Sequence, residues 1–144
     1  CERIRQLTNF AHALHVADRV RFLGQVAPNE RFTWIHNADI CVLPLSTRRI
    51  AERYTSPLKL FEYMAAGKPI VVSDLPSIRE VIEHRTHAMM VEVENPFAFS
   101  QGINELLADE VWRRTMARNA RARAEQFTWY ARAKKIAAFL TDHL

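Results

Sequence analysis

Glu62-Tyr63-Met64-Ala65-Ala66-Gly67-Lys68-Pro69-Ile70-Val71-Val72-Ser73-Asp74 holds a helix end, a stop and a buried strand in succession. Met64, Ala65 and Ala66 favour helix. Gly67 supplies the left-handed residue that commonly closes one, and Pro69 cannot continue it. Ile70–Ser73 opens with an apolar run that does not alternate, as expected of a parallel-sheet strand covered on both faces. Upstream, Leu58, Phe61, Tyr63, Met64 and Ala65 are the apolar members of a helix predicted over Pro57–Ala66.

The same alternation extends outward in both directions. Ile4, Leu7, Phe10, Ala11 and Leu14 predict a helix over 2–16, and Val20–Leu23 a short strand ended by Gly24. Pro28 opens a helix over 29–37, and Ile40–Leu43 is a buried strand stopped by Pro44. Residues 45–56 are polar and aperiodic, a loop long enough to be functional. After Ser73, Asp74-Leu75-Pro76 is a turn, and Ser77, with Glu80 at capping-box spacing, predicts a helix running to about Glu83. Ala88–Val93 is a further strand and Asn95-Pro96 opens a helix over 97–107. Glu110–Gln126 and Trp129–His143 are two more helices, with Thr128 placed to cap the second. Short buried strands alternating with helices make the fold class α/β, a Rossmann-like, doubly wound parallel sheet in one domain over residues 1–144. Ligands on such sheets sit beyond the carboxyl ends of the strands.

The segment with the most chemistry is Tyr54-Thr55-Ser56-Pro57-Leu58-Lys59-Leu60-Phe61-Glu62. It leads from the loop into a helix N-terminus, where unpaired N–H groups and the positive dipole end favour phosphate. Thr55 and Ser56 add hydroxyls, and Leu58 and Lys59 add backbone N–H groups, whereas Pro57 offers none. Glu62, about one turn in, suits the vicinal hydroxyls of a ribose. On spacing alone, Lys59 and Glu62 are equally well read as an i,i+3 ion pair on a solvated face.

The run from Glu62 to Val71 resembles the signature of the retaining GT-B glycosyltransferases called glycosyltransferases group 1, a family-4-like group. Arg19–Val26, Asn37–Pro44 and Phe127-Thr128-Trp129 resemble further family segments, so the likeness spans roughly residues 2–140. It implies the C-terminal, donor-binding half of a GT-B enzyme of hexosyltransferase type. Such an enzyme transfers a sugar from a nucleotide-diphosphate sugar with retention of configuration, in polysaccharide or glycolipid biosynthesis. Glu62 would hold the ribose, and Thr55, Ser56, Leu58 and Lys59 would lie at the diphosphate. Gln25 and Val26 would line the base. Where the family commonly has a first Glu, eight positions before Glu62, this sequence has Tyr54, with Glu52 nearby. That departure bears on the donor-sugar contact and is the feature favouring an alternative, a non-catalytic nucleotide- or protein-binding module. The resemblance also implies two earlier strands, diphosphate-binding cations and an N-terminal acceptor domain, none of which this sequence contains. The chain, opening at Cys1 in a helical pattern, is therefore expected to be part of a larger enzyme and inactive alone.

Composition agrees with a soluble globular domain, with 49% apolar and 25% charged residues. Two cysteines, Cys1 and Cys41, make no disulfide framework, and the acidic residues and histidines show no metal-ligand spacing, so no metal or other cofactor is expected. No stretch approaches the ~20 apolar residues of a membrane span, which points to the cytoplasm. The net charge of +4 arises entirely in residues 109–144, which hold 8 basic and 4 acidic residues. This basic stretch reads first as a solvated face, and otherwise as a surface for anionic lipid on the inner face of a membrane. Nucleic acid is not expected.

Overall fold

The computed structural model describes residues 2–47 and 58–143. The chain divides into two compact units, Cys1–Thr33 and Trp34–Leu144.

In the first unit, α1 (Glu2–Ala13) carries Glu2 in its first turn, where it accepts from Arg5 at 2.8 Å and suits the helix dipole. The helix ends in a Schellman motif. The Val16 N–H donates to the Ala11 carbonyl and the His15 N–H to the His12 carbonyl, with His15 at φ 56°. The predicted end near residue 16 is therefore the cap rather than the last helical turn. A single 3-10 turn, Ala17–Arg19, follows. The strand expected over Val20–Leu23 is not formed. The segment joins no ladder among the described residues, and Val20, Phe22 and Leu23 are exposed. An apolar extended run becomes a strand only when a neighbour takes up its N–H and C=O groups, and the described chain brings it none. After Gly24 (φ 67°), α2 begins at Pro28 and runs across the boundary to Asn37.

The second unit is built on a three-stranded parallel sheet ordered β1 (Cys41–Leu43), β2 (Ile70–Ser73), β3 (Met89–Val91). Cys41 pairs with Ile70, and Val71 with Met89. All four residues of β2 are buried. Its side chains alternate between two cores. Ile70 and Val72 join Leu43, Met90 and the buried face of α3 (Leu58–Ala65), while Val71 joins Met89, Val91 and Leu106. Both faces of β2 and β3 being covered explains why their sequences do not alternate with polar residues, whereas β1, expected to be buried throughout, has Val42 exposed because no described element covers that face of it.

Helix ends account for most of the connections. Gly67, at φ 64°, closes α3 by a second Schellman motif, with the Lys68 N–H on the Tyr63 carbonyl and the Gly67 N–H on the Met64 carbonyl. Asn95 caps α5 (Pro96–Ala108) by accepting from the Ala98 N–H at 3.1 Å. Asp109 caps α6 (Glu110–Ala124) by accepting from the Trp112 N–H at 2.8 Å. Thr128 caps α7 (Trp129–His143) by accepting from Ala131 at 3.1 Å. The expected Ser77 cap is overturned. α4 is a short helix, Pro76–Arg79, with Leu75 at the N-cap and no side-chain cap. Pro76 fixes the first helical φ and needs no donor, so the helix starts two residues earlier. That leaves Ser77 inside the turn, its Oγ buried without a partner.

α5 lies directly on the sheet because Gly102 lets it. A Cβ there would stand 2.9 Å from Met89 Cγ and 3.0 Å from Val91 Cγ1. Residues 80–88, between α4 and β3, are held from α6 by side chains on one helix face. Trp112 Nε1 donates to the Arg85 carbonyl, Asn119 to that of Thr86, and Arg123 to that of Val81. Arg85, at φ 62°, also pairs with Glu105 at 2.9 Å and stacks 4.3 Å over Trp112. Two histidines close the segment from within. His87 Nδ1 accepts from the Glu83 N–H and His84 Nδ1 from the Met90 N–H, each at 3.1 Å. Burial pushes the His87 pKa down; Glu83 opposes this and Arg123 reinforces it.

Two outcomes follow for stability. Gly102→Ala removes a helix-interior glycine, which by propensity alone stabilises by about 1 kcal/mol. The contacts with Met89 and Val91 reverse that sign, so denaturant unfolding should show a net loss of about 1–3 kcal/mol. For His87, the folded chain resists protonation more than the unfolded one does. Its contribution is thus complete above the ordinary histidine pKa of 6.5 and lost as the pH falls below it. Melting temperatures should hold above about pH 7 and decline toward pH 5, and His87→Asn, which keeps an acceptor without titrating, should flatten part of that decline.

Candidate functional site

Parallel strands bring their carboxyl ends, Leu43, Ser73 and Val91, to one edge of the sheet. A helix connecting two parallel neighbours runs back against them, so α3 starts at that edge. Its first turn carries no acidic residue, leaving its positive end uncompensated from within. Leu60 and Met64 are fully buried and fix the rotation of the helix. Leu58, 74% exposed, and Glu62, half-buried, are four residues apart and share one face, with the exposed Lys59 one position round. The face therefore presents two main-chain donors at its start and a carboxylate one turn deeper.

Behind that face, the half-buried Tyr63 phenol is pushed up in pKa by burial, then by the nearby Cys41 thiol and Glu62 carboxylate. Burial likewise raises the Cys41 thiol against the opposing charge of Lys68. Both groups stay neutral near pH 7, and Cys41 is a core thiol.

Of the residues singled out from the sequence, Leu58, Lys59 and Glu62 are brought together on α3. Gln25 and Val26 belong to the first unit, in the irregular stretch between Gly24 and α2, with Gln25 exposed. Tyr54, Thr55 and Ser56, like Glu52 and Pro57, lie outside the described residues.

The sequence reading missed three features at this end of the molecule. Ser73 Oγ accepts from the Leu45 N–H at 2.8 Å and donates to the Leu45 carbonyl at 3.0 Å, tying the chain beyond β1 to the end of β2. Asp74 takes a bidentate pair from Arg79, both contacts at 2.6 Å, and the hydrogen bond to Arg79 holds its carboxyl below the usual range. The third is a groove of about 550 Å3 beside the start of α3, lined by Leu58, Phe61, Phe127, Trp129, Arg132 and Lys135. Phe61 and Phe127 pack with ring centroids 5.3 Å apart, and Arg132 lies 5.7 Å over Trp129. A capped Phe-Thr-Trp run before a basic helix was the available signal for the groove. The Ser73 tie had no signal in the sequence, its partner being 28 positions away. No group of three His, Cys, Asp or Glu that could hold a metal ion occurs among the described residues. No described helix is long and apolar enough to cross a membrane.

Comparison with known proteins accords with this geometry. A family model described as glycosyl transferases group 1 matches residues 2–109. An uncharacterized glycosyltransferase of Methanocaldococcus jannaschii is 29% identical over 130 residues, covering 90% of this chain and 32% of the relative. A D-inositol 3-phosphate glycosyltransferase of Xylanimonas cellulosilytica is 28% identical over 126 residues, covering 88% of this chain and 29% of the relative. The chain thus spans about a third of the length of the relatives it matches. Among solved structures, Anabaena HepE in complex with UDP and glucose superposes with a TM-score of 0.82. It is 24% identical, with 98% of this chain and 37% of HepE covered, a likeness of fold. The architecture is accordingly the Rossmann-like domain of GT-B glycosyltransferases.

Proposed function

The chain belongs to the glycosyl transferases group 1 family, and on that premise we propose that it is the donor-binding domain of an enzyme that transfers a sugar from a nucleotide-diphosphate sugar with retention of configuration. The observation carrying this reading is the face of α3, which starts at Leu58 and Lys59 and carries the half-buried Glu62 one turn deeper. The Leu58 and Lys59 N–H groups take the diphosphate, where aligned peptide dipoles offset its charge and that of the leaving group. Glu62 accepts from the ribose diol in charge-assisted hydrogen bonds. Ser56 and Thr55 add hydroxyls to the diphosphate, Tyr54 stands toward the donor sugar, and Gln25 and Val26 line the base. These five assignments rest on the family resemblance. No metal enters the scheme, in which the positive end of α3 offsets the phosphate charge. Support for the donor class comes from HepE, solved with UDP and with UDP-glucose.

The acceptor belongs to a separate N-terminal domain of the full enzyme, so this chain alone binds donor without transferring sugar. An anionic lipid surface at the cytoplasmic face is the partner that α7 suits best. Trp129 and Tyr130 are more than four-fifths exposed, and Arg132, Lys134 and Lys135 lie on the same helix, mixing apolar and cationic contacts as interfacial helices do.

Three measurements test this reading. Calorimetric titration should show UDP or another nucleoside diphosphate binding, with Glu62→Ala weakening it by about tenfold to a hundredfold, the worth of a charge-assisted hydrogen bond or two. Absence of binding, or binding indifferent to Glu62, would sink the site. Sugar transfer by the chain alone would sink the division of labour. Flotation with phosphatidylglycerol vesicles should succeed at low salt and fail at high salt, and no binding at low salt removes the lipid partner.

A further inference from the structure

We propose that Ser73 is a positioning residue for the donor site: its hydroxyl anchors the main chain of Leu45 and so sets where the connection from β1 to α3 departs. This rests on the donor-binding reading above and extends it to a residue that touches no ligand.

The β1–β2 register pairs Leu43 with Val72, so the next rung would set Pro44 against Ser73. The Cys41 N–H donates to the Pro69 carbonyl, so alternate residues of β1 turn their main-chain groups toward β2: Cys41, Leu43 and, past the last rung, Leu45, with Pro44 turned away. Leu45 would leave both its N–H and its carbonyl without a rung. The Ser73 hydroxyl serves both, accepting from the N–H at 2.8 Å and donating to the carbonyl at 3.0 Å. A single side chain thereby continues the pairing past the last rung.

Ser73 follows Ile70-Val71-Val72 in a strand buried along its whole length, and it is the one buried polar residue among the described residues. A buried hydroxyl costs free energy unless it is bonded, and an apolar side chain would meet the packing demand alone. What the hydroxyl adds is the tie.

The tie acts at one end of the 46–57 connection, and the core acts at the other. Leu45 packs against the cluster that contains Leu43, Val72 and the fully buried Leu60. Leu60 lies in the first turn of α3, directly after the Leu58 and Lys59 donors. Because Leu45 and Leu60 share that core, a displaced Leu45 shifts the packing that places the first turn of α3. Small displacements of groups placed to meet a ligand are costly in affinity.

UDP titration well below the melting temperature tests this on the unaltered chain and on Glu62→Ala, Ser73→Ala and Ser73→Thr. The expected result is binding by the unaltered chain, loss in Glu62→Ala, weakening by about tenfold in Ser73→Ala, and recovery to within about threefold in Ser73→Thr, which retains the hydroxyl. A merely structural role would lower the melting temperature of Ser73→Ala and leave its Kd unchanged. That outcome, or equal losses in the Ala and Thr variants, overturns the proposal while the donor-binding reading stands. No UDP binding by the unaltered chain overturns the reading and the proposal with it. Should Ser73→Ala fail to fold, hydrogen exchange in the unaltered chain decides. The Leu45 amide is expected to exchange as slowly as the β2 ladder amides and more slowly still with saturating UDP. Fast exchange, or indifference to UDP, overturns the assignment.

Discussion

A strand buried on both faces and paired on both edges has nowhere to put a polar group that is not hydrogen-bonded, and β2 is such a strand. Ile70, Val71 and Val72 meet that demand by being apolar and by giving their N–H and C=O groups to β1 and β3. Everything nearby is arranged around their exit. On one side the Asp74 N–H reaches the Val91 carbonyl at 2.7 Å, one step beyond the ladder. On the other the Leu45 N–H and carbonyl, the next to face β2, are taken by the Ser73 side chain. The carboxyl edge is therefore fixed by hydrogen bonds before any loop is considered, and that fixed edge is what a parallel α/β sheet offers a ligand.

The helices repeat the pattern of satisfying their ends locally. α1 and α3 both stop in Schellman motifs, one on His15 and the other on Gly67. The left-handed residue costs glycine nothing and His15 something, which is why only the glycine announces its helix end in the sequence. The starts are made by Asn95, Asp109 and Thr128, each within three residues of the N–H it serves. α3 differs in having neither an acidic first turn nor, within its own span, a residue that offsets its dipole.

What was legible in the sequence was what is local. The buried run of β2, the Gly67-Lys68-Pro69 stop and the helix starts at Asn95 and Thr128 all depend on residues a few positions apart, and the structure has them where the pattern put them. The strand at Val20–Leu23 failed because pairing is non-local and an apolar run does not report whether a neighbour exists. Ser77 failed through a competing local rule, the adjacent Pro76. On the site, helical spacing placed Lys59 and Glu62 within one turn of each other, and both lie on α3. Ser73 stayed invisible because its partner is 28 positions away and a serine ending a strand looks like an ordinary strand end.

Charge shows the same divide between counting and placing. The whole net charge of +4 falls within residues 109–144, yet these cations are not one surface. Arg113 donates to the Leu106 carbonyl at the end of α5 and Arg123 to the Val81 carbonyl, so both guanidinium groups help hold the fold together. Arg114 pairs with Glu110 one turn back on an exposed face, a contact worth little in water. Arg132 and Lys135 instead line the groove beside Leu58, on a helix whose described side chains include no carboxylate. The basic tail of the sequence thus resolves into α6, where two of five arginines bond main-chain carbonyls, and cations of α7 that border the start of α3. Only the second group adds positive potential where an anionic ligand would approach the helix N-terminus.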